Sequence, residues 1–482
     1  MSRAEAAHPD RAAADPGQPV PHLSPEERAA LGKAARERTP RATQADFARP
    51  DGQPDAVDLL ESQAASRVPD LVPIRYGRMM TSPFAFYRGA ALVMASDLAG
   101  TPNSGLRVQL CGDAHMSNFG VFASPERRLV FDINDFDETL PGPWEWDVKR
   151  LAASLEIAAR QNGFPEKARK DILLTTLRGY REPMRRFAAM RTLDVWYSTA
   201  DMAELQVQMA DQLDQSRTKR LSKELAKART KDSLQAFEKL THLVGGERRI
   251  AADPPLIVPI ADLAPGLEQD RLREEVHRLV QKYRETLQSD RRVLLEEFRY
   301  VDLARKVVGV GSVGTRAWIA LLLGRDEEDP LFLQVKEAQT SVLAAYAGDS
   351  EFANQGERVV AGQRLMQASS DIFLGWLRAK GLDGQQRDFY FRQLRDWKGS
   401  VVPEEMVAKG MALYGRLCGW ALARAHACSG DRIAIASYLG GGEAFDRAVA
   451  EFAVAYADQN ERDYAAFAKA VESGRLTAQT GL

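Results

Sequence analysis

The stretch Lys306–Ala338, KVVGVGSVGTRAWIALLLGRDEEDPLFLQVKEA, sets glycines at 309, 311 and 314 in the spacing G-x-G-x-x-G. That spacing alone is a weak signal, and the next element along the chain decides the fold. A helix after the third glycine makes a dinucleotide site on a parallel sheet; a second strand makes a loop that covers phosphates between antiparallel strands. Here Ala317–Leu323 is a short apolar run stopped by Gly324 and an acidic turn, and a second run, Leu331–Val335, leads into Lys336. The pattern predicts strand, glycine loop, strand, turn and a third strand ending near a lysine. Gly309, Gly311, Ser312 and Gly314 then cradle phosphates, with Lys336 gripping them. The blander alternative is a glycine-kinked hairpin with an exposed lysine.

Upstream lie LCGDAHMSNFGVF, Leu110–Phe122, and LVFDINDFDETLPGPWEWD, Leu129–Asp147. Two strand-like runs each end in a cluster of Asp and Asn, and strand ends are where side chains converge on a ligand. Asp113 and Asn118 flank a short loop, and Asp135 comes after an expected hairpin. One Asp can take a proton from a hydroxyl while an Asn and a second Asp hold Mg²⁺ on nucleotide phosphates. Mg²⁺ asks for hard oxygens and usually takes only one or two protein carboxylates. The alternative is that these Asx residues cap turns. Gly-Asp-x-His also occurs in metallophosphoesterases, but that chemistry needs more histidine loops than His8, His22, His115, His242, His277 and His426 supply.

The 482 residues are 45% hydrophobic and 27% charged with a net charge of −2, ordinary for a globular enzyme. Balanced charge speaks against a nucleic-acid or membrane-surface partner. The basic run Arg217–Lys231 lacks interleaved aromatics and reads as a solvated helix face. Cys111, Cys418 and Cys428 have no paired spacing and read as buried reduced thiols. With no signal-like leader or long apolar span, a cytoplasmic protein is expected. Residues 1–55 read as a flexible arm with one short helix after the cap Ser24-Pro25-Glu26-Glu27. Residues 144–243 and 266–298 read as helical, 300–397 as the small β part, and 398–482 as further helices. Residues 56–299 and 398–482 together would build the helical part. Phe84, Phe86, Tyr87 and Arg88 form an aromatic-basic cluster; the aromatics read as core and Arg88 as a partner for a carboxylate, with the lining of an acceptor site as the alternative.

From about Tyr76 to Tyr464 the chain resembles a bacterial family known as domain of unknown function 2252. The matching stretches are SPFAFYRGAA, CGDAHMSNFG, FDINDFDETLPGPWEWDVKRLA, KVVGVGSVGTR, LQVKEA, GERVVAGQRLMQ, DIFLGW and ARAHACSGD. More distantly, CGDAHMSN looks like the catalytic loop of aminoglycoside and choline kinases, roughly His-Gly-Asp-x-His-x-x-Asn, with Cys111 in place of the leading His. NDFDE looks like their metal-binding segment, PWEWDVKRLA like the helix after it, and RAHAC, Arg424–Cys428, like the helix entering the loop. That resemblance implies Asp113 as base, Asn118 and Asp135 as metal ligands, Asp147 bracing the loop, and a helix glutamate paired with Lys336, Glu351 or Glu357, of which Glu357 is preferred because GERVVAGQRLMQ reads as a helix. Arg316 stands where kinases usually place Val.

In kinases the glycine loop precedes the catalytic Asp; here it comes later. The resemblance therefore implies an α+β, protein-kinase-like two-lobed fold, circularly permuted, with a mostly helical large lobe and a small antiparallel β lobe. Its expected cofactors are ATP and Mg²⁺, and its expected partner an unknown small-molecule or protein acceptor. A nucleotide-binding pseudokinase or an AMP-transferring enzyme on the same fold are the alternatives.

Overall fold

A computed structural model of the chain describes residues 22–482 apart from 51, 210–222, 224, 267–268 and 395. Four short strands come first: β1 (Arg107–Leu110), β2 (Phe119–Ala123), β3 (Leu129–Ile133) and β4 (Leu140–Pro143). They form two antiparallel pairs, β1 with β4 and β2 with β3. A hairpin of β5 (Thr241–Val244) and β6 (Glu247–Ile250) is next. Then come β7 (Ile257–Pro259), β8 (Arg299–Lys306), β9 (Ala317–Leu323), β10 (Pro330–Ala338), β11 (Gly375–Lys380) and β12 (Gln386–Gln393). These last six make one sheet in the order β11-β12-β10-β9-β8-β7, antiparallel throughout.

The second apolar run after the glycines is thus a strand, as its length predicts. Every residue of β10 is buried, because it is central in the sheet and covered on both faces. One face packs against Tyr283, Leu287 and Leu295 of the helical segments Gln269–Glu285 and Ser289–Glu296 and the turn between them. The other packs against Ala236, Phe237 and Leu240 of Ser233–Leu240. Residues from 233 onward therefore belong to the sheet's core. The expected boundary at 300 lies too late, and the long helix expected over 266–298 is two helices.

The larger core is helical, built on Trp144–Gln161, Glu166–Ala189, Ala408–Ser429 and Ala444–Glu472. Trp144 anchors it, stacked on Tyr180 with centroids 5.5 Å apart and flanked by Phe445 and Tyr438. Two helices approach closely through glycines. A Cβ on Gly419 would stand 2.5 Å from the Thr176 carbonyl oxygen, and one on Gly179 would stand 2.7 Å from that of Arg416. Overpacking such a seam costs about 1–3 kcal/mol.

The N-terminal arm expected over 1–55 needs correction for its described part. Pro25–Arg38 is a helix that starts at the Ser24 cap the sequence predicts, and Glu27 completes a capping box with it. It docks on the body, however: Arg28 pairs with Asp431, and Arg49 bridges Asp97 and Asp463 at 2.8 Å each. Residues 1–21, and 217–222 and 224 of the basic run, lie outside the described residues. Among those described, no helix is long and apolar enough to cross a membrane.

Candidate functional site

The loop between β1 and β2 is fixed from beneath. Asp147, in the first turn of Trp144–Gln161, accepts backbone N–H bonds from Cys111 (2.8 Å) and Gly112 (3.0 Å). Its Oδ2 lies 3.3 Å from His426 Nε2, and His426 Nδ1 lies 2.9 Å from Tyr180 Oη. Gly112 has φ +84°, and a Cβ there would strike the Glu138 carbonyl at 2.3 Å, so only glycine fits. Cys111 is buried, and burial pushes its thiol well up, which leaves it a packing residue.

The loop presents Asp113 and Asn118. Arg150 grips Asp113 Oδ1 at 2.6 Å, and its guanidinium lies 4.2 Å from the Tyr87 ring centroid. Asp113 Oδ2 is left facing His115, with Nε2 at 3.7 Å. Burial, outweighing the nearby Asp113, pushes the His115 imidazole down to about 4, so it is neutral at pH 7. Asn118 Nδ2 donates to the Asp113 carbonyl at 2.9 Å. Its Oδ1 has no hydrogen bond among the described residues.

Lys336 enters from β10. Its ammonium pairs with Asp137 and lies 3.6 Å from Asp135 Oδ2. Tyr390, opposite it on β12, donates to Asp137 Oδ1 at 2.6 Å. Burial alone would disfavour charge on both sides of this group, but mutual attraction wins. Asp135 and Asp137 raise the lysine above its ordinary range despite burial. Burial would raise Asp135, yet Lys336 and Arg392 hold it down at about 2.

The glycine loop, 307–316, folds over this cluster. Arg78 Nη1 donates to the Gly309 carbonyl at 2.6 Å, and the Val68 N–H donates to that of Gly314 at 2.8 Å. A Cβ on Gly311 would stand 3.0 Å from the Arg88 carbonyl oxygen. One cavity of about 120 Å³ is lined by Gly309, Gly311 and Ser312 together with Asp113, Asn118 and Asp135. Asp137, Glu138, Arg67 and Arg88 complete its charged lining. Gly314 turns away: it is buried, with a Cβ position 3.0 Å from the Arg67 side chain, and it does not line the cavity.

Glu357 is not brought into the site. It lies in the first turn of Gln355–Met366, half-buried, without a side-chain hydrogen bond or ion pair among the described residues. The helix turns its neighbour Arg358 inward instead, donating to the carbonyls of Thr139 (2.6 Å), Asp137 (2.9 Å) and Gln339 (2.8 Å). The acid paired with Lys336 is Asp137. Sequence reasoning passed over Asp137, although Asp135 and Asp137 stand two apart in one acidic loop; Arg150 and Tyr390 carry no local signal. Phe84, Phe86 and Tyr87 are buried as expected.

Fold and cleft define an α+β protein whose helical core and antiparallel sheet meet at a charged, glycine-covered cavity. The profile of DUF2252, described as an uncharacterized protein conserved in bacteria, matches residues 67–470, and the chain belongs to that family. No curated protein and no solved structure matches it.

Proposed function

We propose that this cleft transfers the γ-phosphoryl group of ATP, with Mg²⁺, to a hydroxyl on a small-molecule or protein acceptor. In this reading the sheet and the helical part are the two lobes of a kinase-like fold whose halves stand in swapped order along the chain. One observation carries it: Asp113, Asn118 and Asp135 share a cavity with a glycine loop far downstream in the sequence, and Lys336 is buried against Asp135 and Asp137.

The donor set fits Mg²⁺. Asp135, Asp137 and the Oδ1 of Asn118 are hard oxygens, too few for an all-protein cage and suited to an ion shared with phosphates. When bound, the ion neutralises charge on the phosphates. The protein's own contribution is positioning. Lys336, released from part of its pairing, meets the α and β phosphates. Backbone N–H groups of 309–312 cover them. Asp113 Oδ2, the oxygen Arg150 leaves free, accepts and orients the acceptor O–H. Since ligand pockets usually enclose about 300–1,000 Å³, the glycine loop must lift to admit a nucleotide.

AMP transfer is the second reading, and one feature favours it. Arg392, whose Nη1 donates to the Asn134 carbonyl at 2.9 Å, adds a buried cation beside Lys336. Calorimetry of ATP binding with and without Mg²⁺, then identification of products, tests the proposal. ADP with a phosphorylated acceptor supports it. Pyrophosphate moves the reading to nucleotidyl transfer, and absence of Mg²⁺-dependent binding removes both.

A further inference from the structure

The acid groups of the cavity have partners: Asp113 has Arg150, Asp135 and Asp137 have Lys336, Glu337 has Arg316 and Arg387, and Glu138 accepts the Val342 N–H at 2.7 Å. Arginines of the same cavity, and one behind it, have guanidinium donors with no hydrogen-bond partner among the described residues. Arg67 is 5% exposed; its Nη1 donates to the Val313 carbonyl, and its Nε is buried with no partner. Arg88, at the end of Pro83–Gly89, makes no hydrogen bond or ion pair with any described residue, and its Nε is likewise buried and unmatched. Behind them Arg75, fully buried, donates to Gln63 Oε1 at 2.6 Å and to the Gly89 carbonyl, while its Nε and Nη1 remain unmatched. Gln63, Arg67 and Arg88 all line the cavity beside Asp113. Gln63 accepts through Oε1, so the amide N–H₂ of this cavity-lining residue is a further donor.

Buried guanidinium donors without acceptors are costly, and a fold that keeps several around one cavity has a use for them. Of the cavity's acids, Arg88 answers to Asp113, and the glycine loop rests on the Arg88 backbone carbonyl. Arg67 lies toward Glu138 and Glu337. We propose that these arginines receive an anionic group, carboxylate or phosphate, carried by the acceptor, so that the acceptor is an acidic molecule bearing a hydroxyl. The proposal rests on the phosphotransfer reading. Arg fits it better than Lys because its planar fork meets such groups in two bonds.

The test titrates inorganic phosphate, and separately acetate, into the full chain by calorimetry, with and without saturating Mg·ADP. Wild-type protein, Arg88→Gln and Arg88→Lys are compared, with Mg·ATP affinity measured in parallel. Arg88 is partly exposed, so its replacement leaves the fold intact, checked by melting temperature. At least one anion should bind with Mg·ADP present, and Arg88→Gln should weaken it about 10- to 100-fold, the loss of a charge-assisted hydrogen bond. Arg88→Lys should recover part of that loss, and Mg·ATP affinity should change by less than about twofold. Which probe binds names the group. Anion binding that ignores Arg88, is abolished by Mg·ADP, or falls in step with Mg·ATP affinity overturns the proposal and gives the arginines to the nucleotide or to packing. Arg88-dependent phosphate binding without any Mg·ATP binding keeps the anion subsite and removes the phosphotransfer reading.

Discussion

Asp113 and Asp135 line one cavity yet answer to different cations, Arg150 and Lys336, so their replacement should separate two roles. Asp113→Asn removes a proton acceptor that touches the acceptor hydroxyl; turnover should fall about 10²–10⁴-fold with Mg·ATP affinity nearly unchanged. Asp135→Asn removes a charged ligand, and Mg²⁺-dependent nucleotide binding should weaken instead. Calorimetry beside an ATP-consumption assay reads both, and loss of binding in each variant alike would refute the division. Two neighbours contribute to pH dependence with opposite signs. Burial holds His115 down at about 4, so its contribution is complete above the unfolded value near 6.5 and is lost as pH falls toward 4. Burial raises Glu138 to about 7, so its contribution is complete below the unfolded value near 4.5 and is lost as pH rises toward 7. Each amounts to at most about 3 kcal/mol. Between pH 4.5 and 6.5 the two oppose each other. In urea unfolding, His115→Gln should gain stability on acidification relative to the wild type, and Glu138→Gln should lose it. Asp113, Asn118, Asp135 and Lys336 were legible because strand ends rich in Asx and a lysine after a glycine hairpin are local patterns. Arg150 and Tyr390 were not: one acts because a helix face turns toward the β1–β2 loop, the other because the sheet register sets it opposite Lys336.

At the level of elements, a local pattern again went further than a helix phase. The strands around the glycine loop are set by run length and turn residues. The helix Gln355–Met366 was equally visible, but which of two adjacent residues faces the cleft depends on how that helix packs, and the first turn leaves the phase open. The structure turns Arg358 inward and Glu357 out. Glu357→Gln should therefore leave ATP affinity, activity and stability within experimental error. Arg358→Met strips a donor from three carbonyls, two of them in the Asp137–Thr139 segment, and should cost about 2–4 kcal/mol as buried acceptors lose their partner. It should also loosen Asp137 and weaken Mg²⁺-dependent nucleotide binding. Equal effects of the two substitutions, read by urea unfolding and calorimetry, would contradict this arrangement.

Across the whole molecule, periodicity reveals that a helix has an apolar face but not which core that face enters. Ser233–Leu240, Gln269–Glu285 and Ser289–Glu296 look like other amphipathic helices in the chain, and only the structure assigns them to the sheet. The two cores then meet through polar links that include Lys336 and Tyr390 to Asp137, Arg358 to the Asp137 carbonyl, and Arg392 to that of Asn134. Lys336 is consequently a structural clamp as well as a candidate phosphate ligand, and the two roles predict different things. Lys336→Met leaves Asp135 and Asp137 close together without their cation, which should cost about 3–5 kcal/mol in the absence of any nucleotide. Asp137→Asn alone should cost less, because Asp135 still faces the lysine and the amide oxygen still accepts from Tyr390. If the clamp joins the cores, the double variant should be more stable than the sum of the two losses by about 1–3 kcal/mol. Additive losses in urea unfolding would mean that Lys336 does not tie sheet to helices through Asp137, and its burial would then need the phosphate ligand alone as its reason.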